Sequence, residues 1–144
     1  MGDRAILIDS AVLLYAFGTA EGERSRSRAF VDRLAAADVR MYASTEMVQE
    51  FAHHRLRRTR DRRRAGREAR DVMASMTILN FDREVLDLSL DLIERTAVRG
   101  RDAVHAATAL AYGIEKIASP DPAFDGIPGL ARIDPLADGS ESVL

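Results

Sequence analysis

Four consecutive apolar residues, Ala5-Ile6-Leu7-Ile8, run straight into Asp9 and Ser10, which predicts a strand buried on both faces whose carboxyl end delivers an acid to a crevice. The period then changes. Ala11 to Phe17 is short, apolar and helix-compatible, with Gly18 placed to end it, and residues 22–37 carry Phe30, Val31, Leu34 and Ala35 at helical spacing. Met41-Tyr42-Ala43 predicts a second strand, closed by Ser44 and Thr45, either of which can cap the helix that places Met47, Val48, Phe51, Ala52 and Leu56 inward. Asp61 is the best candidate to open the next helix, whose stripe is Ala65, Ala69, Val72, Met73 and Met76; the two helices then form an antiparallel hairpin.

Thr77-Ile78-Leu79 reads as a third strand. Asp82 caps a helix expected to reach about Val98 and to stop at Gly100, with Val85, Leu88, Leu92 and Ile93 on one side and Leu86 and Leu90 on another. From Arg101 to Tyr112 an alanine-rich helix permits close approach to a neighbour, and Gly113 closes it. Lys116-Ile117-Ala118 is a short strand, residues 120–129 a turn-rich loop, and Leu130 to Ile133 a last edge strand. Strands alternating with helices predict an α/β fold with a mainly parallel central sheet of four to five strands flanked by helices, plus the helical hairpin. A single domain over residues 1–133 and a mobile tail over 134–144 complete the expectation.

Composition narrows the chemistry. The 144 residues contain no cysteine, so disulfides, thiolate nucleophiles and thiolate zinc sites are excluded, and any metal must be held by oxygen or imidazole. The N-terminus shows no signal-peptide pattern and no apolar run approaches the roughly 18 residues that a membrane span needs, so a soluble, cytoplasmic protein without membrane contact is expected. The formal net charge of -2 conceals an asymmetry. Between His53 and Arg70 nine arginines stand against Asp61 and Glu68, a local charge of +7, which leaves -9 for the rest of the chain.

Four carboxylates stand out by position. Asp9 and Asp121 sit just past the carboxyl ends of predicted strands, Glu50 lies on the third helix six residues after Ser44, and Asp102 opens the alanine-rich helix. Each has a plain structural role open to it: Asp9 and Asp102 as helix caps, Asp121 as the start of an Asp-Pro turn, Glu50 as a solvated edge residue. If they converge, mutual repulsion raises their pKa values and a hard divalent ion relieves the conflict. Mg²⁺ or Mn²⁺ also binds phosphate oxygens, which makes phosphoester chemistry the natural use. Glu46, one helical turn before Glu50, is an additional candidate ligand.

The order and setting of these acids resemble the PIN-domain family, and within it the toxin ribonucleases of bacterial VapBC toxin-antitoxin pairs. The matching pieces are Ile6-Leu7-Ile8-Asp9-Ser10, Ser44 to Phe51, Arg101-Asp102-Ala103-Val104-His105-Ala106-Ala107-Thr108-Ala109, and Ser119-Pro120-Asp121-Pro122-Ala123-Phe124-Asp125-Gly126-Ile127. The resemblance implies an acidic quartet of Asp9, Glu50, Asp102 and Asp121, with Asp9 and Asp102 the foremost metal ligands and Asp125 a further acid nearby. It implies a Mg²⁺- or Mn²⁺-dependent endoribonuclease that hydrolyses RNA phosphodiesters, a cognate VapB-like antitoxin and a homodimer. Ser10 and Ser119 are expected to orient Asp9 and Asp121 or a bound water. Two departures stand out: Pro120 and Pro122 fix the backbone on both sides of Asp121, and Ala11 replaces a residue often polar in the family.

The arginine run, with Arg55, Arg57, Arg58 and Arg62 as its candidate contacts, suits RNA phosphates and an acidic antitoxin segment alike. Among the histidines, a Glu50-His54 pair can in principle bind zinc but lacks the further ligands such a site wants; His105 suits a supporting role beside Asp102. Two other readings compete. One is a PIN-like module that holds RNA or a partner without cutting. The other is a different metal-using doubly wound domain, either a phosphoacceptor regulator or a haloacid-dehalogenase-like phosphatase. Ala11, two residues after Asp9, fails the phosphatase pattern, and Ser10 weakens the regulator.

Overall fold

The computed structural model describes residues 4–137. Five strands, β1 (Ala5–Ile8), β2 (Arg40–Ser44), β3 (Thr77–Leu79), β4 (Lys116–Ala118) and β5 (Ala131–Ile133), form one sheet in the order β3-β2-β1-β4-β5. Every pairing is parallel. All four residues of β1 are buried, as the central strand of a covered parallel sheet requires. From β1 the chain steps outward to β2 and β3, then returns to the other side of β1 for β4 and β5. The direction of winding therefore reverses between β1 and β4, and the crevice outside the carboxyl ends of those strands is the natural site of an open α/β sheet.

Among the described residues six helices flank the sheet: α1 (Ser10–Phe17), α2 (Glu21–Ala36), α3 (Thr45–Thr59), α4 (Arg62–Ser75), α5 (Arg83–Arg95) and α6 (Gly100–Ala111). Three begin on the caps their sequences predict. Ser44 Oγ accepts from the Met47 amide, Asp61 Oδ1 from Arg64 and Asp82 Oδ1 from Val85, each at 3.0 Å. Each such cap stabilises its helix by about 1 kcal/mol. On α6 the buried Ala103, Ala106, Ala107 and Ala109 let the helix settle closely into the core.

Several expectations are corrected. Gly100 opens α6 instead of closing α5; its positive φ of 28° turns the chain from Arg99 into the new helix. Helix α5 ends at Arg95, where Thr96 Oγ1 folds back onto the Leu92 carbonyl. Met73 and Ile93, placed on inward stripes by their spacing, are 49% and 44% exposed. Helix α5 turns Val85, Ser89 and Leu92 inward, which leaves Leu86, Leu90 and Ile93 as an outward row. Ala35 is also exposed, while Ser27 takes an inward place one turn before Phe30 and Leu34. The expected mobile tail begins in order, since Pro135 is buried and Arg26 donates to the Leu136 carbonyl; the remainder, 138–144, lies outside the described residues.

The hairpin carries the largest correction. Arg55, expected on the basic surface, is only 5% exposed. Its Nε donates to Glu68 Oε2 at 2.7 Å and its Nη2 to Oε1 at 3.1 Å, and Arg64 Nε adds a bond to Oε1 at 2.9 Å. Glu68 thus joins α3 to α4, and the hydrogen bond from Arg55, against the opposing effect of burial, lowers its pKa from the ordinary 4.5. Removing one partner of a buried pair strands the other charge, so Glu68→Ala is expected to destabilise the fold by about 3 to 5 kcal/mol at neutral pH. Because the folded pKa is depressed, this stabilisation is present above 4.5 and fades as pH falls through the lowered folded value. Urea unfolding of wild type and variant should therefore converge below that pH; equal midpoints at neutral pH would remove the pair from the stability account.

Candidate active site

Two strand ends and one helix start meet at the switch point. The Asp9 amide donates to the Ala118 carbonyl at 3.0 Å, continuing the β1-β4 ladder and setting Asp9 beside Ser119. Ser119 Oγ then donates to Asp9 Oδ2 at 2.7 Å and accepts from the Asp121 amide at 3.0 Å, so one hydroxyl ties the two acidic segments together. Ser10 Oγ reaches Asp9 Oδ1 only at 3.5 Å, a weak contact. Asp9 occupies the N-cap position of α1 without capping it. Burial raises its pKa, and the Ser119 hydrogen bond and nearby His105 oppose that rise.

Asp102 lies in the first turn of α6, half-buried, and the helix begins without a side-chain cap from its N-cap residue, Arg99. Burial first, then the charges of Asp121 and Asp9, raise its pKa. Asp121 is exposed and spends Oδ1 on the Ala123 amide at 2.9 Å, capping a 3-10 turn (Pro122–Phe124). The two prolines accordingly fix this acid through an Asp-Pro turn.

Glu50 behaves differently. Its Oε1 meets His105 Nε2 at 2.6 Å and its Oε2 accepts from Arg101 Nη1 at 3.1 Å. Burial alone would raise its pKa, but the His105 bond, the His105 charge and Arg101 together lower it. His105 is 2% exposed, so its ring is a fixed support for Glu50 and not a mobile base. This pairing also removes Glu50 from any zinc arrangement with His54.

The four acids line one crevice of about 430 Å³, which also takes in Ser10, His54, Arg99 and Arg101. Its donors are all hard oxygens apart from the histidines. Asp9 and Asp102 are released from capping and raised by burial, and Asp102 further by its acidic neighbours, which is the setting that a hard cation relieves. Among the described residues no three His, Asp or Glu side chains form a ready-made metal cage. A Mg²⁺-type ion does not need one, because one or two carboxylates with waters and substrate oxygens suffice. The residues present fit such an ion, with Asp9 and Asp102 as the available carboxylates.

Other candidates fall elsewhere. Glu46 is half-buried on α3 and does not line the crevice. Asp125 lines the adjoining groove and is clamped by Arg132, Nε to Oδ1 at 2.8 Å and Nη2 to Oδ2 at 3.1 Å. Arg57, Arg58 and Arg62 are exposed. Sequence reasoning gave no role to Arg101 or Arg132; a cation directly before Asp102 was the available signal for the first, and nothing local marked the second.

A family model described as PIN domain matches residues 6–130 of this chain. Ribonuclease VapC7 of Mycobacterium tuberculosis is 36% identical over 145 residues, covering 96% of this chain and 97% of that protein. Among solved structures, VapBC-1 from nontypeable Haemophilus influenzae is similar with a TM-score of 0.72 at 13% identity, covering 92% of this chain and 99% of that one. A toxin-antitoxin complex from Klebsiella pneumoniae is similar with a TM-score of 0.66 at 19% identity, covering 90% and 97%. At those identities the structural likenesses speak for the fold.

Proposed function

The chain belongs to the PIN-domain family, and from that premise we propose that it is an endoribonuclease, the toxin of a toxin-antitoxin pair, working with Mg²⁺ or Mn²⁺. One observation carries the reading: Asp9 and Asp102 share a crevice at the switch point, neither caps a helix, and both have raised pKa values.

In this reading Asp9 and Asp102 would hold the ion, with Asp121 adding negative charge beside them. When bound, the ion supplies Lewis-acid activation of water and neutralises charge on the phosphate undergoing in-line displacement. Ser119 fixes the rotamer of Asp9 through the 2.7 Å bond. Glu50 stays ionised between His105 and Arg101 and holds the Arg101 guanidinium at the crevice, where it meets an incoming phosphate. Among the described residues no side chain is placed as a covalent nucleophile; Ser10 Oγ is buried against Asp9.

Purified, antitoxin-free protein should cut an RNA pool with Mg²⁺ or Mn²⁺ and not with EDTA. Asp9→Asn and Asp102→Asn should each lower the rate by more than about a hundredfold, beyond the 10–100-fold loss typical of an outer-shell partner. Asp9→Asn should remain folded and at least as stable, since it removes a buried charge. RNA retained but uncut by every form would favour the binding-module reading.

The antitoxin reading rests on the exposed face of the hairpin. A groove of about 540 Å³ beside it is lined by Leu14, Tyr15, Phe17, Arg58 and Arg64 among others, an apolar floor with a basic rim that suits an amphipathic acidic segment. Changing Arg57, Arg58 and Arg62 together to Ala should weaken binding of antitoxin or RNA with the melting temperature unchanged. Full affinity for both would return these arginines to a solvated surface.

Homodimer formation is supported by α5. Leu86, Leu90 and Ile93 form an exposed row between Arg83 and Glu94, so an antiparallel second copy matches apolar to apolar and opposite charges at each end. Sedimentation at micromolar concentration should give twice the monomer mass, and Leu90→Glu should lower it; a monomeric wild type would exclude the dimer. Among the described residues no helix is long and apolar enough to cross a membrane.

A further inference from the structure

The crevice continues past Asp102. A second groove, of about 540 Å³, adjoins it, and Asp102 and Arg99 line both. Buried Val98 and Ile127 give the second groove an apolar floor, and Arg95 stands at its edge. Asp125 contributes a wall, but the bidentate bond from Arg132 neutralises it.

The two arginines differ in what the fold asks of them. Arg95 lies in the last turn of α5, where a cation suits the helix dipole. Arg99 is the N-cap residue of α6, makes no capping bond and puts a cation at the positive end of that helix. Neither guanidinium has an ion pair or hydrogen bond among the described residues. Arg99 is thus unfavourable for its own helix and has no structural partner, and it faces an anionic site from the boundary of two grooves.

We propose that this second groove seats the RNA nucleotide adjoining the scissile phosphate, with Arg95 and Arg99 receiving the neighbouring phosphate and Val98 and Ile127 lying under the sugar or base. The inference rests on the nuclease reading above and adds a positioning role for two residues outside the acidic quartet. A phosphate there is drawn by two unpaired guanidiniums, with Asp125 compensated by Arg132 and Asp102 standing at the boundary shared with the acidic crevice, and a nucleoside covers apolar floor that water wets poorly.

The test uses the full chain and a short single-stranded RNA that the wild type cuts. Arg95→Ala and Arg99→Ala should each raise KM about fivefold, with kcat within about twofold, and each should make the dependence of log KM on log salt shallower by about 0.7, the contribution of one phosphate contact on a single strand. Arg→Lys at either position should restore part of the loss. Shortening the RNA from one end up to the cut site should abolish sensitivity to both substitutions, while shortening from the other end should preserve it. Unchanged KM and salt slope in both variants, with wild-type cutting intact, would overturn the subsite and leave the nuclease reading standing. So would a loss that persists whichever end is shortened, or a loss of antitoxin affinity alone. A wild type that cuts no RNA would end both.

Discussion

Placing a carboxylate at the end of a fully buried central strand opposes folding unless something answers the charge. At Asp9 the answers within the chain are partial: one strong hydrogen bond from Ser119, a distant one from Ser10, and the influence of His105. Burial still prevails, and the pKa rises. Much of the rest of the molecule can be read from that imbalance. The parallel sheet must open its winding between β1 and β4 to give the acid room, and the segment after β4 must return Ser119 to its side. Asp102 and Asp121 bring more negative charge to the same place instead of relieving it. A fold selected for stability alone would put an amide or an apolar residue there; retaining the acids is intelligible when a cation completes the site.

Glu50 shows the contrasting solution. Of the four acids it alone is fully answered by the protein, by His105 inside and Arg101 outside. The crevice therefore divides its labour: Asp9 and Asp102 carry charge that the protein answers only in part, Asp121 is shared with a turn, and Glu50 is a neutralised wall. Treating the quartet as four equivalent ligands, as residue type alone suggests, overlooks this difference. The same division runs through the arginine-rich hairpin. Arg55 turns inward and, with Glu68, ties α3 to α4, while Arg57, Arg58 and Arg62 turn outward.

What was legible in the chain follows from what is local. The run Ala5-Ile6-Leu7-Ile8 announced a central strand because only a strand covered on both faces tolerates it, and Ser44, Asp61 and Asp82 announced helix starts because a cap bonds an amide three residues away. The acids at strand ends were legible for the same reason. Glu50's bond to His105 spans 55 positions and Arg55's bond to Glu68 spans 13 across a turn, so neither leaves a mark in any window of sequence. Gly100 misled because glycine serves a turn at either end of a helix, and its φ is set by the chain on both sides. Met73 and Ile93 misled because hydrophobic spacing cannot tell a face turned to the core from one left exposed.

An acidic site that acts on a polyanion faces a second difficulty, since like charge repels the substrate on approach. The rim of the crevice addresses this with Arg99 and Arg101, two cations at the start of α6, where the helix dipole disfavours them. Arg101 is held by Glu50, which places it but leaves it 75% exposed, and Arg99 is held by nothing among the described residues. Positive charge in the wrong place for the helix is in the right place for a phosphate, and it lines the same crevice as the acids. The sequence Arg99-Gly100-Arg101-Asp102 thus sets guanidinium and carboxylate within one turn, an arrangement that draws a phosphodiester toward a crevice whose acids would otherwise repel it.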